Sequence, residues 1–202
     1  MSSPVTSRER AKTSRERAKA DRRSALLAAA ATLFAERGFA RVSLEDLGAA
    51  VGVSGPAVYR HFESKQAVLA ALLVDVSRGL LTGGQAVIAA APSHEAALRG
   101  LVAFHVDFAL SNPDVIVVQD RDLGSLGPAD AGDVRSLQRS YIEAWVGVLG
   151  GIHPSIATSE LRIRARATFG LINSTPHSAR SSSRAVVRAL LESMALAALT
   201  SA

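Results

Sequence analysis

Apolar residues recur along this chain every three or four positions, and Gly, Pro and Ser interrupt them often enough to define separate helices. Leu26, Ala30, Leu33 and Phe34 mark the inward face of a helix predicted from Asp21, its N-cap, to Arg37, with Gly38 as the stop. Ser43, with Asp46 three residues on, predicts the start of a second helix that turns Leu44, Leu47 and Val51 inward. Gly48 in its middle costs about 1 kcal/mol against Ala, a cost that close helix packing would justify. Gly52 permits a left-handed turn, Val53 fills the angle, and Ser54 caps the next helix. Pro56 falls in that helix's first turn, where a missing N–H is harmless. The helix itself is predicted over Gly55 to Phe62, about two turns, with Val58 and Phe62 inward. Ser64 opens a long helix carrying Val68, Leu69, Leu72, Leu73 and Val76 and running to about Ala91, which Gly79, Gly83 and Gly84 are placed to bend or break.

The remainder continues in the same period. Pro92 and Ser93 open a helix with Leu98, Leu101, His105 and Phe108 on one face, ending near Asn112. Pro113 begins a short one to about Val118, and the Gly-, Asp- and Pro-rich stretch from Asp120 to Asp133 reads as a loop. Val134 to about Leu149 is helical, with Leu137, Tyr141, Trp145 and Val148 on one side and Gly150, Gly151 and Pro154 beyond it. Within Ser159 to Asn173 the run LRIRARA alternates like a strand, but Leu161, Ala165, Phe169 and Ile172 fit a helix and no other segment offers a partner strand. Ser174 to Ser183 reads as a polar loop. Arg184 to Thr200 is a last helix with Val187, Leu190, Leu191, Met194 and Ala198 on one face. The expected fold class is all-α, about nine helices.

Charge changes this picture at one end only. Through Arg23 there are eight Lys or Arg against three Asp or Glu; from Ser24 to Lys65 the count is four against four, and from Gln66 it is eleven against eleven. The whole excess of +5 therefore sits on an N-terminal arm, residues 1–20 and the start of the first helix. TSRERAK occurs twice in it, Thr6 to Lys12 and Thr13 to Lys19. Only Ala11 and Ala18 are apolar there, too few for a coiled-coil seam, so the free arm is expected to be disordered and able to extend the next helix on DNA. A duplication of little functional consequence is the bland alternative.

Composition excludes several classes. There is no Cys, hence no disulfide or thiolate metal site. No apolar run is read as reaching the roughly 20 residues of a membrane span, and the polar N-terminus lacks the apolar core of a signal peptide, so no membrane partner is expected and the cytoplasm is the expected location. Gly52-Val53-Ser54-Gly55 misses a nucleophile elbow by one position, no phosphate-binding Gly motif occurs, and His61, His94, His105, His153 and His177 show no metal-ligand spacing. An enzyme is thus the weaker rival, with no metal and no cofactor expected. A helical scaffold that only dimerises is the other, but it leaves the chemistry of Gly55 to Lys65 unexplained.

The stretch LLAAAATLFAERGFARVSLEDLGAAVGVSGPAVYRHFESKQAVLAAL resembles the DNA-binding domain of the TetR/AcrR family of bacterial transcriptional regulators, in the order and spacing of LFAERGF, VSLEDL, GVSGPAVYRHF and ESK. The resemblance covers about Leu26 to Leu72; the rest matches only in general shape. It implies a helix-turn-helix domain over 21–66, a helical effector-binding and dimerisation domain over 67–202, and a homodimer formed through the last two helices. It also implies a palindromic operator and, as a rule, repression relieved by a small molecule. Val42 stands where the family often has Thr, and Pro56 where Gly is common, which limits transfer of particular operator contacts.

The residues argue their own roles. A two-turn helix fits the major groove, and Gly55 and Pro56 at its start allow close backbone approach. Tyr59 and Arg60 lie off the buried face, for a phosphate or thymine methyl and for guanine or phosphate respectively. His61 and Lys65, the caps Ser43 and Ser54, and Arg22 and Arg23 at the end of the arm suit phosphates. For a small effector, lipophilic by the aliphatic composition, the candidates are Phe104, His105, Phe108, Gln119, Arg121, Tyr141, Trp145, Phe169 and Asn173, aromatic or polar groups on or near the middle helices, against the alternative that most are ordinary core.

Overall fold

The computed structural model describes residues 7–178 and 182–201, and every regular element among them is helical. In chain order these are α1 (Ser7–Arg37), α2 (Leu44–Ala50), α3 (Gly55–Val58), α4 (Lys65–Ala90), α5 (His94–Ser111), α6 (Pro113–Asp122), α7 (Pro128–Ile152), α8 (Thr158–Ile172), α9 (Thr175–Ser178) and α10 (Arg184–Thr200), with 3-10 turns at Phe39–Arg41 and Leu123–Ser125. The chain divides into two compact units, Met1–Leu72 and Leu73–Ala202, so the division falls inside α4 and later than the expected break after residue 66.

The first unit is organised by local signals. Leu26, Ala30 and Phe34 of α1 are fully buried. Gly38 ends α1 at φ 84°, its N–H donating to Phe34 O at 2.8 Å. Ser43 forms a full capping box: its Oγ accepts the Asp46 N–H at 3.1 Å and its own N–H donates to Asp46 Oδ2 at 2.8 Å. Those bonds from Ser43 hold the Asp46 carboxyl below the usual carboxylate range. Gly52 takes the turn at φ 70°. A Cβ on Gly48 would stand 2.8 Å from Val53 O and 3.1 Å from Val58 Cγ2, so the glycine is there because α2 and the turn to α3 touch backbone to backbone.

Three expectations for this unit change. Asp21 caps nothing, because α1 is continuous from Ser7 and the arm is helical where free disorder is expected; Arg, Glu, Ala and Lys are good helix formers and the helix downstream supplies the nucleus. Residues 1–6 and the side chains through residue 15, and with them the first TSRERAK copy, lie outside the described residues. Ser54 occupies the N-cap position of α3 but its hydroxyl accepts no capping bond. The helix expected over Gly55 to Phe62 is α-helical only to Val58 and continues as a hydrogen-bonded turn, with His61 N–H to Val58 O at 2.9 Å and Phe62 N–H to Val58 O at 3.1 Å.

In the second unit α5, α7, α8 and α10 pack in a closed cycle, each against the next and α10 back onto α5. Trp145, Leu98, Leu101, Leu149, Leu161, Ile172 and Leu199 are its largest fully buried side chains. The LRIRARA run is helical within α8. The loop expected from Asp120 to Asp133 is largely absent: α6 runs on to Asp122, and Pro128 begins α7 as a first-turn proline. Gly150 and Gly151 stay within α7, and the expected loop after Asn173 contains the single turn α9. Gly79, Gly83 and Gly84 leave α4 unbroken; at Gly83 and Gly84 the missing Cβ admits the rings of Phe104 and Tyr141. Contrary to expectation, α4 is long and apolar enough by length and composition to cross a membrane. Much of its apolar surface instead serves the protein interior: Val68, Leu69 and Leu73 are fully buried, and Leu80 and Val87 pack against the second unit's core.

The last helix differs in register from the expected face. Val187, Leu191, Ala195 and Leu199 are buried, while Leu190 and Met194, expected inward, are 56% and 45% exposed. Val186 on the same side, and Ile163 on the neighbouring α8, are exposed as well.

Candidate nucleic-acid interface and effector cavity

Val58 and Phe62 anchor the segment after the turn in the small core, and their burial turns the residues between them outward. Tyr59 is 55% exposed, and Ser43, Ser54, Pro56 and Arg60 are also at the surface. Gly55 is half-buried, near the Glu45 side chain. Beside Tyr59 lies an open depression bordered by Arg41, Ser43, Glu63 and Lys65. Val42 borders the same depression but is buried, so its side chain serves the core.

Several of the expected phosphate contacts are already engaged. Lys65 Nζ donates to Phe39 O at 2.8 Å and Ala40 O at 3.1 Å and sits 4.6 Å above the Phe39 ring, which commits two of its three donors to holding the 3-10 turn. The Ser43 hydroxyl is tied into the capping box, donating to Asp46 Oδ2 at 2.7 Å. The Arg22 guanidinium lies 3.4 Å from Val51 O, at the C-terminal end of α2, and that of Arg23 lies 5.4 Å over the Phe62 ring. These contacts bring the cationic end of the arm against the helix pair. Burial first, and then the charges of Lys19, Arg22 and Arg23, push the His61 imidazole below its ordinary pKa, so near pH 7 it would meet a phosphate as a neutral hydrogen-bonding group.

The second unit holds a cavity of about 460 Å³. Six of the nine effector candidates line it: His105, Phe108, Gln119, Tyr141, Phe169 and Asn173. The other three do not. Trp145 is fully buried in the core, edge-on to Phe169 at 4.9 Å. Phe104 fills the space over Gly83, and Arg121 is paired with Asp122 at 2.8 Å. Ser77, Arg135, Gln138, Arg139, Ile142 and Arg166 complete much of the lining and were not singled out from sequence. The spacing of Arg135, Gln138, Arg139 and Ile142 at i, i+3, i+4 and i+7 is the one signal that marks them as a single face of α7.

His105 is the centre of this cavity's polar chemistry. Its Nε2 is 3.2 Å from Asn173 Oδ1 and its Nδ1 is 3.5 Å from the Tyr141 hydroxyl. With Asn173 Oδ1 as acceptor, Nε2 carries the hydrogen and Nδ1 accepts from Tyr141. Burial depresses the His105 pKa to about 4, against a smaller opposing effect of Asn173. Burial likewise pushes the Tyr141 phenol up, so this group is uncharged around neutrality. The rings of Phe169, Tyr141 and Phe108 surround the imidazole at 4.7, 5.8 and 5.9 Å.

A two-helix turn with an outward-facing second segment has helix-turn-helix geometry, and the chain's other helical unit contains a cavity of ligand size. Residues 26–72 match the family described as "Bacterial regulatory proteins, tetR family". The chain is 30% identical over 128 residues, 63% of its length, to the HTH-type transcriptional repressor KstR2 of Rhodococcus jostii (strain RHA1), and spans 63% of that repressor. Its fold matches a TetR-family transcriptional regulator from Bordetella parapertussis 12822 with a TM-score of 0.77 at 24% identity, covering 88% of this chain and 94% of that one. It also matches FadR from Bacillus subtilis, solved in complex with stearoyl-CoA, with a TM-score of 0.72 at 14% identity over 88% and 97% of the two chains. Residues 26–72 thus resemble the DNA-binding domain of the TetR family, the fold of the chain matches regulators of that family, and the chain spans less than two thirds of the curated repressor it matches.

Proposed function

We propose that the protein is a transcriptional repressor that binds a palindromic operator as a homodimer and responds to a small-molecule effector. The observation that carries this reading is the outward face of the segment after the turn: Val58 and Phe62 are consumed by the core, and Tyr59 and Arg60 are exposed where a major groove would receive them. Ser54, Gly55 and Pro56 let its backbone approach DNA, with Arg22, Arg23, His61 and Ser43 flanking it and one donor of Lys65 still free for a phosphate. The reported relatives and fold neighbours are transcriptional regulators, which weighs against both an enzyme and a pure scaffold. Acting on chromosomal DNA places the protein in the cytoplasm.

The homodimer is formed through α8 and α10. Val186, Leu190 and Met194 recur every fourth residue on the exposed side of α10, and Ile163 is 67% exposed on the adjoining α8. Apolar side chains so exposed suit a self-complementary interface. The cavity of the second unit is the effector site, and the effector is lipophilic, as the largely apolar lining and the stearoyl-CoA of the B. subtilis fold neighbour suggest. Effector binding favours a dimer in which the two reading segments no longer stand about 34–36 Å apart, one DNA turn. Helix α4, which starts in one unit and ends in the other, is the covalent link.

Fluorescence anisotropy with DNA from upstream of the protein's own coding region tests the reading. Saturable binding at low salt, competed by the same sequence better than by random DNA, is expected. A folded dimer that binds no DNA even at low salt would sink it.

A further inference from the structure

The cavity of the second unit is asymmetric in charge. Three arginines line it, Arg135 and Arg139 one turn apart on α7 and Arg166 on α8, and no Asp or Glu does. All three are exposed, so they stand at the solvent side. Two like charges at i and i+4 repel unless something neutralises them. Among the described residues none of the three forms a salt bridge: Glu143 pairs with Arg162 at 2.6 Å and only feels the charge of Arg166 from further off. The inner side of the cavity is different. Leu80, Phe108, Ile116, Ile142 and Phe169 make it apolar, and His105 contributes no charge near pH 7 because burial holds it neutral. Ser77 is 3% exposed, lines the same cavity, and its Oγ has no hydrogen-bond partner among the described residues. A buried hydroxyl in that state is costly, and an occupant that hydrogen-bonds to it would recover that cost.

We propose that this cavity binds an amphipathic anion, its apolar body against Phe108, Ile142 and Phe169 and its carboxylate or phosphate head on Arg135, Arg139 and Arg166. The proposal rests on the reading of this cavity as the effector site and narrows its ligand by charge. Guanidinium groups favour either head, since both accept paired N–H donors. A buried anion is excluded, because an uncharged imidazole and phenol could not neutralise it. The head therefore lies outward, and Ser77 and His105 are left for an uncharged oxygen along the body.

Trp145 is the only tryptophan and lies against Phe169, which lines the cavity, so its fluorescence reports occupancy. The full-length protein is titrated with decyl phosphate, decanoate and 1-decanol below their aggregation limits, at low and high salt. At least one anion should bind roughly tenfold tighter than the alcohol, the scale of two or three partly exposed charge-assisted contacts, with a margin that shrinks as salt rises. The stronger of the two anions identifies the head group. The triple variant Arg135→Gln, Arg139→Gln, Arg166→Gln should lose that margin and leave decanol binding and the melting temperature unchanged, because all three side chains are exposed. Equal affinity for decanol and both anions overturns the proposal, as does an unaltered margin in the triple variant or binding of none of the three. Operator binding by the same preparations separates any such failure from failure of the regulator reading.

Discussion

Acid should destabilise the second unit through His105 at a pH well above the range in which carboxylates unfold most proteins. The imidazole is 3% exposed, ringed by Phe169, Tyr141 and Phe108, with its two nitrogens at 3.2 Å from Asn173 and 3.5 Å from Tyr141. In the unfolded chain it titrates near 6.5; in the folded protein burial lowers this to about 4. Because the folded value is the lower one, the unfolded chain takes up the proton first. The stability conferred by a neutral His105 is therefore complete above pH 6.5 and is lost as pH falls toward 4. At about 1.4 kcal/mol per pH unit the full loss is about 3 kcal/mol, a sizeable part of a typical domain's stability. Urea unfolding at fixed protomer concentration, followed by Trp145 fluorescence from pH 7.5 to 4.5, measures it. The concentration must be held because a dimer's apparent stability depends on it. His105→Gln keeps a hydrogen-bond donor and cannot titrate. It should be less stable than the parent at pH 7.5 through imperfect packing, yet lose about 2–3 kcal/mol less on acidification. Other groups, His61 included, contribute equally to both proteins. The same pH slope in parent and variant between pH 6.5 and 4.5 would refute the argument.

Gly48→Ala should destabilise the first unit by about 1–3 kcal/mol despite the better helix propensity of Ala, because the new Cβ meets the Val53 carbonyl; a more stable variant in thermal unfolding would contradict this. Arg60→Ala should weaken operator binding by about 1–3 kcal/mol, the value of a bidentate base contact, with unchanged melting temperature, and unaltered affinity in anisotropy titrations would remove Arg60 from the interface. Leu190→Glu should convert the proposed dimer to monomer in light scattering at micromolar concentration, since the residue is 56% exposed in the single chain and the fold itself does not need it; a persisting dimer would place the interface elsewhere. Deleting residues 1–20 should reduce the slope of log affinity against log salt, because the +5 excess is carried by the arm and the start of α1, and an identical slope would exclude the arm as a contact.

Local signals decided the first unit and were legible in sequence. Ser43 with Asp46, Gly38, Gly52, and Val58 with Phe62 each act within a few residues, through a capping bond, a positive φ or a four-residue spacing, and each stands where the pattern puts it. The all-helical class followed from the same period. The polar role of Lys65 was less legible, because a side chain suited to a phosphate is equally suited to a backbone carbonyl 26 residues away.

What the tertiary structure alone decided lies in contacts between distant segments. His105 meets Asn173 across 68 residues, and the cavity draws on α4, α5, α6, α7 and α8 together, so no window of sequence could separate its lining from core. Leu190 and Leu191 are the same residue side by side; only the packing of α10 on α5 and α8 buries one and exposes the other. Nothing in the sequence connects Arg135 and Arg139 with Arg166, 27 or more residues on; the fold brings them to the lining of one cavity that no carboxylate shares. Periodicity specifies that a helix has a buried face, but the width of an apolar stripe leaves its centre open, and that centre is set by the neighbours a helix finds.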